Sequence, residues 1–273
     1  MDQKLTTATY RFEDLLAIEK IISESAQTCM IDCFRHSTAS YKTDGSIVTN
    51  ADIAMQESLS TQLKSRYPQV EMLSEELTAE EQASAMASGK DYWCLDPLDG
   101  TTNYHATFPL FSVSLALISQ GHIVLAVIYD PVRREFFSAL KGQGFWVNGE
   151  IAEPPLQPEK MGHSIAFIDF KRLDKEMRTH LVNQPPYKSQ RNIGTCALEW
   201  AWLASGRVHL LIHGSEKFWD YAAGSLLLEE SGGCSETHNG EPVFNETLEP
   251  RSVVAASNSE LFQQWSSWIR AID

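Results

Sequence analysis

The sequence predicts an α+β fold in which helices and sheets form separate layers. Two strands, at 111–119 and 122–130, are joined by a glutamine–glycine pair that is typical of an antiparallel hairpin. Two further strands, at 134–139 and 144–148, extend the hairpin into a meander. Helical patterns occur in blocks before and after this meander, which favours a layered fold over a regular βαβ winding.

Each helix follows from its own residue pattern. The first has one apolar face, formed at helical spacing by Phe12, Leu15, Leu16, Glu19, Ile22, Ala26, Cys29 and Cys33. A second helix is predicted to begin after Thr49, a good N-cap residue. Later, helices at 197–205 and 258–270 flank a short strand at 208–212.

The length and composition indicate one compact protein with two lobes. The chain has 273 residues, of which 43% are hydrophobic, so it can bury a large core without disulfides or structural metals. We predict an N-terminal lobe at 1–150 and a C-terminal lobe at 151–273. The junction is expected at a proline-rich stretch with Pro154, Pro155 and Pro158.

The charge and the apolar segments limit the possible partners and compartment. A formal net charge of −14 argues against nucleic acid or an anionic membrane as the main partner. Charged residues from Arg11 onward are unlike a signal peptide, and no apolar run reaches the roughly 18 residues of a membrane span. The five cysteines are scattered, which indicates a reducing compartment and no zinc motif. We therefore predict a cytoplasmic protein.

Residues 96–103, with the sequence DPLDGTTN, form the most informative stretch. Asp96 follows an apolar run at 92–95 that reads as a buried strand. Pro97 is not expected to continue the sheet ladder, and Gly100 permits a tight turn. Two carboxylates beside an anion-binding turn suggest divalent metal ions between the protein and a phosphate. Standing alone, however, such a motif is as typical of a solvated surface turn.

Three other stretches place carboxylates in comparable positions. Asp52 lies three residues after the predicted N-cap, where it would either cap the helix or face a metal cluster. Glu75 and Glu76 end a predicted strand at 70–73, where their like charges repel unless they are compensated. Asp220 lies in the first turn of another helix, where the helix dipole favours an anion.

None of these four stretches contains a lysine or an arginine. The ranges without either residue are 43–63, 72–81, 93–104 and 219–231. If they converge, they form a strongly negative pocket that could not hold a phosphate unaided. Divalent cations would reverse this field. The sequence therefore predicts a metal-dependent phosphate site.

Together, the motifs resemble those of the inositol monophosphatase family. The likeness rests, in chain order, on Val48-Thr49 with Asp52, Glu75-Glu76, residues 96–103, Gly194-Thr195 and residues 219–224 (WDYAAG). It covers nearly the whole chain. The resemblance implies a layered αβαβα sandwich of the sugar-phosphatase type, a Mg²⁺-dependent and lithium-sensitive phosphomonoesterase, and a homodimer.

The resemblance further implies a ligand set for two or three Mg²⁺ ions. Glu75, Asp96 and the backbone carbonyl of Leu98 would hold the first ion, and Asp96, Asp99 and Asp220 the second. Oxygen ligands of this kind suit Mg²⁺. Most of these ligands fall in the N-terminal lobe, whereas Asp220 and the substrate contacts fall in the C-terminal lobe.

Catalytic roles are implied for Asp52, Glu75 and Thr101. A metal-activated water attacks phosphorus, and Thr101, paired with Asp52, orients that water and accepts its proton. The backbone N–H groups of Gly100 and Thr101 would receive the phosphate oxygens. Asp99 and Asp220 are expected to line the same phosphate site.

Substrate contacts are implied for Gly194, Thr195 and Ala197, but one neighbouring position departs from the family pattern. Seven residues before Asp220 the family usually has a glutamate that accepts sugar hydroxyls, and this chain has His213. A neutral imidazole accepts one hydrogen bond, so a bidentate carboxylate contact is lost. His213 therefore either contacts the substrate in a new way or merely ends a strand.

Several alternatives stay open from the sequence. The predicted substrate is myo-inositol monophosphate or a similar small polyol phosphate. Two alternative activities, a histidinol-phosphate phosphatase and a 3′(2′),5′-bisphosphate nucleotidase, would use the same metal ligands. A non-enzymatic regulatory role is a different class, since some bacterial relatives act on transcription machinery. Lys42 would either help to complete a metal site or be a solvated loop residue. Glu216 lies close to His213 but in another register.

Overall fold

A computed structural model describes residues 10–42, 45–153 and 157–272. Within these ranges the chain forms eight α-helices: α1 (Phe12–Ala26), α2 (Asn50–Arg66), α3 (Ala79–Ala87), α4 (Thr101–His105), α5 (Lys175–Asn183), α6 (Cys196–Ala204), α7 (Phe218–Glu230) and α8 (Ser259–Arg270). A π-helical turn at Gln27–Ile31 extends α1, and a 3-10 turn lies at Met161–His163.

The strands of the described residues form one hairpin and two larger sheets. The strands are β1 (Ala39–Tyr41), β2 (Ile47–Thr49), β3 (Glu71–Ser74), β4 (Tyr92–Asp99), β5 (Ser112–Ser119), β6 (His122–Asp130), β7 (Glu135–Leu140), β8 (Gly144–Val147), β9 (Glu150–Ile151), β10 (Ile165–Ile168), β11 (Ser189–Arg191), β12 (Leu210–Glu216), β13 (Cys234–Glu236) and β14 (Arg251–Ala256). β1 pairs with β2, the seven-stranded sheet has the order β3-β4-β5-β6-β7-β8-β9, and the five-stranded sheet has the order β11-β10-β12-β14-β13.

The helices and sheets alternate in five layers. α1 and α2 pack their buried residues, such as Ile18 and Leu59, on one face of the seven-stranded sheet. α6 and α7 fill the space between the two sheets, where Trp200 and Tyr221 are fully buried. α5 and α8 cover the far face of the five-stranded sheet. This arrangement confirms the predicted layered α+β fold.

A close contact between α6 and α7 explains the glycine at position 224 of α7. A Cβ atom added to Gly224 would lie 2.3 Å from Cβ and Cγ of Trp200. The structure shows that Gly224 serves packing, because only a glycine lets the indole lie against the helix backbone.

Local predictions succeeded for most elements and failed at two points. The hairpin at β5 and β6 and the helix start after Thr49 are confirmed. The strand β4 does not end at Asp96 but continues to Asp99, because its pairing with β5 shifts register between these residues; Pro97 itself lies outside the ladder, as expected. Leu16, expected on the buried face of α1, is 43% exposed.

Two predictions fall outside the described residues. From the sequence we also expect a turn at Asp44-Gly45, and Asp44 lies outside the described ranges, as do Pro154 and Pro155 of the expected lobe junction. The division into lobes at 150 therefore stays a prediction.

Candidate active site

The end of β4 brings Asp99 against the start of α6. Its Oδ2 accepts the backbone N–H of Ala197 at 2.8 Å and the hydroxyl of Ser112 at 3.2 Å, and its Oδ1 accepts the N–H of Cys196 at 3.2 Å. The hydroxyl of Thr195 also donates to Oδ2. Asp99 thus connects the seven-stranded sheet to the start of α6, and it brings Thr195 and Ala197 next to residues 96–103, which we call the acidic motif.

Asp96 and Asp220 are the other carboxylates of this region. Asp96 is 2% exposed, and its Oδ1 accepts the N–H of Leu98 at 3.0 Å. Asp220 lies in the first turn of α7, where its Oδ2 accepts the N–H of Lys217 at 2.8 Å.

Asp52 divides its two oxygens between two tasks. Oδ2 accepts the N–H and the hydroxyl of Thr49, at 2.8 and 2.6 Å, which completes the capping of α2. Oδ1 lies 3.1 Å from the hydroxyl oxygen of Thr101, and that hydroxyl also lies 3.0 Å from the carbonyl of Leu98. Capping and the Thr101 contact therefore coexist on one side chain.

Lys42 reaches the glutamates that follow β3. Its Nζ lies 2.8 Å from Oε1 of Glu76 and 3.3 Å from Oε1 of Glu75. Although the four acidic stretches carry no lysine or arginine themselves, Lys42 thus supplies a cation from outside them. Burial alone would lower the pKa of Lys42, but the two carboxylates raise it above its usual value.

The carboxylates at this site repel one another because they are buried together. Burial raises the pKa of Asp96 well above its usual range, and the charges of Glu75, Asp99 and Asp220 raise it further. Burial, followed by the charges of Asp99 and Glu75, raises the pKa of Asp220 to about 8. Burial also raises the pKa of Glu75 to about 7, although Lys42 opposes this shift. Such a cluster is stable as anions only beside cations, so the residues fit divalent metal ions.

The proposed carboxylate ligands do not place three ligand atoms as close together as a single compact ion site would. Among the described residues, only one trio of His, Cys, Asp or Glu side chains brings its ligand atoms within 4.8 Å of one another, and it consists of Cys196, His213 and Glu216. The side chains assigned to the second ion do not form such a trio, and Asp99 among them is engaged with α6.

Hydrogen bonds of the Asn103 side chain connect the acidic motif to the segment at 193–195 that precedes α6. The amide of Asn103 donates to the carbonyls of Leu110 and Ile193, at 2.8 and 2.7 Å. Gly100 and Gly194 both adopt positive φ, at 90° and 72°. A Cβ at Gly100 would lie 3.2 Å from the carbonyl oxygen of Leu110, so both the turn and the close packing require glycine there.

His213 has partners that the sequence did not reveal. Its Nε2 lies 2.9 Å from Oδ2 of Asp169, which also accepts from Arg172 at 2.6 Å. Its Nδ1 accepts the N–H of Ser215 at 3.2 Å. Burial would raise the pKa of Asp169, but the hydrogen bonds from His213 and Arg172 hold it well below its usual range. One available signal was that Asp169 directly follows β10, as acidic residues often follow strands in a site.

The family of the chain follows from comparison with known proteins. The model of the inositol monophosphatase family matches residues 4–270. The chain belongs to this family. It is accordingly a phosphatase with the α+β fold of inositol monophosphatases. Among its described residues, no helix is long and apolar enough to cross a membrane.

Individual family members show the same likeness. The chain is 35% identical over 206 residues to an inositol monophosphatase of Dictyostelium discoideum, which covers 73% of this chain and 75% of the relative. It is 34% identical over 210 residues to the Nus factor SuhB of Escherichia coli K12, covering 74% and 76%. A solved inositol monophosphatase/NADP phosphatase, complexed with Mg²⁺ and phosphate, has a TM-score of 0.76 at 23% identity, covering 93% of this chain and 91% of that one.

Proposed function

We propose that this phosphatase is a Mg²⁺-dependent phosphomonoesterase that hydrolyses myo-inositol monophosphate or a similar small polyol phosphate. The observation that carries the proposal is the buried carboxylate cluster at the end of β4, next to the Asp52–Thr101 pair. A cluster of anions can receive a phosphate only when cations neutralise it.

The Mg²⁺ ligands are proposed residue by residue. One ion would be held by Glu75, Asp96 and the carbonyl of Leu98, and a second by Asp96, Asp99 and Asp220. The site would thus hold two Mg²⁺ ions, or three if a further ion binds. When bound, Mg²⁺ acts as a Lewis acid, activates water and stabilises the leaving oxygen. The Mg²⁺ and phosphate in the solved relative support this choice of ion.

Proton transfer is proposed for Thr101 and Asp52. The Thr101 hydroxyl has a single proton, which it can donate to Asp52, and this leaves its lone pairs to accept a proton from an attacking water. Burial raises the pKa of Asp52, which makes its carboxylate a better proton acceptor. Glu75 is the third proposed catalytic residue, through its place beside the first ion.

Phosphate and substrate contacts are proposed around the same turn. The N–H groups of Gly100 and Thr101 would face the phosphate oxygens, and Gly194, Thr195 and Ala197 would line the alcohol portion. His213 occupies the position of the family's sugar-binding glutamate. Both of its ring nitrogens already have partners, so it would contact a hydroxyl only by exchanging one of them.

The remaining properties follow as expectations from the family. We propose a cytoplasmic homodimer, sensitive to lithium, whose partner is a small phosphomonoester and not nucleic acid or membrane. The net charge of −14 supports the exclusion of nucleic acid. The two lobes, 1–150 and 151–273, belong to the same proposal.

A substrate panel tests the proposed activity. Chelator-treated protein is assayed for phosphate release, with and without added Mg²⁺, from myo-inositol 1-phosphate, histidinol phosphate, glycerol 2-phosphate and 3′-phosphoadenosine 5′-phosphate. Release that requires Mg²⁺ and is fastest with inositol phosphate supports the proposal. Preference for histidinol phosphate or the nucleotide would overturn the substrate and keep the mechanism. Equal release with and without Mg²⁺ would overturn the mechanism.

A regulatory role is a second candidate, favoured by the similarity to a protein named as a Nus factor. The matching experiment compares Asp99→Asn protein with wild type in cells that lack the gene. A phenotype restored by an Asp99→Asn protein that releases no phosphate would support a regulatory role. Restoration by wild type alone would assign the phenotype to the phosphatase activity.

A further inference from the structure

Three potential metal ligands meet where α6 begins beside β12. The Sγ of Cys196 lies 3.8 Å from Nε2 of His213, and Nδ1 of His213 lies 3.8 Å from Oε1 of Glu216. One ligand atom from each residue lies within 4.8 Å of the others. None of these side chains is among the proposed Mg²⁺ ligands, although His213 is also a proposed substrate contact.

Glu216 carries an unsatisfied oxygen in this trio. The residue is fully buried, and its Oε2 accepts the indole N–H of Trp200 at 2.8 Å. Its Oε1 has no hydrogen-bond partner among the described residues. Buried polar atoms without a partner are costly, so such an atom points to a bound ligand or ion. The Trp200 contact fixes the carboxylate so that Oε1 faces His213.

His213 is held as metal-binding histidines are held. Its Nε2 lies 2.9 Å from the carboxylate of Asp169, an arrangement that fixes the tautomer and leaves Nδ1 with a lone pair. The N–H of Ser215 now donates to Nδ1, at 3.2 Å, and an entering ion would replace this single hydrogen bond. The Nδ1 atom lies towards Glu216, whereas the Sγ of Cys196 lies 3.8 Å from Nε2, so the thiol would turn about its Cα–Cβ bond to share an ion with Nδ1.

The charges of the site also match a divalent ion. Once Cys196 and Glu216 had lost their protons to an entering ion, they would supply two negative charges, and His213 would bind as a neutral ligand. Asp169 is already paired with Arg172 at 2.6 Å, so it adds no net charge. A doubly charged cation therefore makes the site electrically neutral.

We propose that Cys196, His213 and Glu216 form a binding site for a divalent transition-metal ion of the Zn²⁺ type, separate from the Mg²⁺ site. A set of one sulfur, one nitrogen and one oxygen ligand is typical of zinc and leaves one position open. Thiolate and imidazole ligands discriminate against Mg²⁺. On binding, the S–H bond of Cys196 and the O–H bond of Glu216 would break, bonds from sulfur and oxygen to the metal would form, and two protons would go to solvent.

The location couples this ion to the phosphatase site. The backbone N–H of Cys196 and that of Ala197 both donate to Asp99. An ion bound by Cys196 would link the start of α6 to β12. It would therefore restrict the motion of the two N–H groups that hold Asp99. The proposal itself concerns binding, and it stands or falls independently of the substrate.

Spectroscopy with Co²⁺, a coloured substitute for Zn²⁺, tests the site. Chelator-treated protein is saturated with Mg²⁺ to occupy the carboxylate site and is then titrated with Co²⁺. The proposal predicts a thiolate-to-cobalt charge-transfer band that saturates at one ion per chain and is displaced by Zn²⁺. Absence of this band in the wild-type protein would overturn it.

Variants assign the band to the named residues. Cys196→Ser should abolish it, whereas Cys234→Ser, which alters a half-buried thiol on β13, should retain it. Glu216→Gln keeps an acceptor for Trp200 and should weaken Zn²⁺ binding by at least tenfold. Asp169→Asn should weaken it about 10–100-fold through His213. A band that survives Cys196→Ser in folded protein, or Zn²⁺ affinity unchanged by Glu216→Gln, would contradict the site.

Discussion

At the scale of single residues, Asp52 shows how one side chain combines a structural and a chemical task. Its Oδ2 completes the cap of α2, and its Oδ1 lies 3.1 Å from the Thr101 hydroxyl. The residues Thr49 and Asp52, three apart, predicted the cap from sequence. The contact with Thr101, which is 49 positions away, depends on the tertiary fold.

Thr101→Ala is expected to lower kcat by about 10²–10⁴-fold, with little change in KM, because it removes the proposed proton acceptor. Thr101→Ser keeps a hydroxyl and should retain most of the activity. The measurement is steady-state hydrolysis of the best substrate at saturating Mg²⁺. Thr102→Ala, at the exposed neighbouring position, is the matched control. Wild-type kcat in Thr101→Ala would exclude a role for this hydroxyl in the proton transfer.

Glu19 is a buried carboxylate outside the acidic motif. It lies on α1, is 7% exposed, and accepts a hydrogen bond from the hydroxyl of Ser138 on β7. Burial raises its pKa, and the Ser138 hydrogen bond only partly opposes this shift. The folded state therefore favours the protonated form, and the stability that this provides is lost as the pH rises through the folded-state pKa.

Glu19→Gln should consequently stabilise the protein at pH 8 and have little effect near pH 4.5. Glutamine has no charge to desolvate, and its carbonyl can still accept from Ser138. Thermal unfolding across this pH range measures the effect, since 1 kcal/mol corresponds to about 2–4 °C in Tm for a chain approaching this size. Glu24→Gln, at an exposed position of the same helix, should show no comparable trend. A Glu19→Gln advantage that falls with rising pH would refute the assignment.

At the scale of elements, the packing of α6 on α7 depends on Gly224. An added Cβ would lie 2.3 Å from the Trp200 side chain, which is itself fully buried between the two sheets. Neither the indole nor the helix backbone can move away without disturbing the core.

Gly224→Ala is therefore expected to destabilise the fold by about 1–3 kcal/mol, despite the higher helix propensity of alanine. Chemical denaturation provides the measurement. Gly162→Ala is the control, since a Cβ there meets no atom within 4 Å and the residue has no positive φ. Equal or greater stability of Gly224→Ala would show that the α6–α7 contact is looser than described.

Sequence patterns predicted most elements but not the irregularities between them. The hairpin of β5 and β6 and the start of α2 follow from local residue preferences. The continuation of β4 past Pro97 depends on pairing with β5, where Asp96 opposes Ser114 and Asp99 opposes Ser112. The local preference of proline to end a strand does not predict such a shift, because register depends on the partner strand.

At the scale of the whole molecule, the site depends on contacts between distant parts of the chain. Lys42 meets Glu76 across 34 positions, and His213 meets Asp169 from a neighbouring strand. The motif at 96–103 predicted the carboxylates because their spacing is local. The partners of His213 could not be predicted, because no local spacing links β10 to β12.

Metal binding should stabilise the entire fold, because it relieves the repulsion among the buried carboxylates. Mg²⁺ at 100 times its dissociation constant contributes about 2.7 kcal/mol, or roughly 5–10 °C in Tm. The comparison is thermal unfolding in chelator and in Mg²⁺. In Asp96→Asn the Mg²⁺ effect should largely vanish, and the chelated variant should be more stable than chelated wild type, since one buried negative charge is gone. An undiminished Mg²⁺ effect in Asp96→Asn would contradict the assigned ligand.

The most direct test of the phosphatase mechanism is phosphate release from myo-inositol 1-phosphate by chelator-treated protein as Mg²⁺ is added back. Wild type should be inactive in chelator and should gain activity with Mg²⁺ until saturation. Asp96→Asn should stay inactive at every Mg²⁺ concentration while remaining folded, and Asp91→Asn, at the opposite end of β4, should behave as wild type. Full activity of Asp96→Asn, or wild-type activity that persists in chelator, would contradict the metal-dependent mechanism.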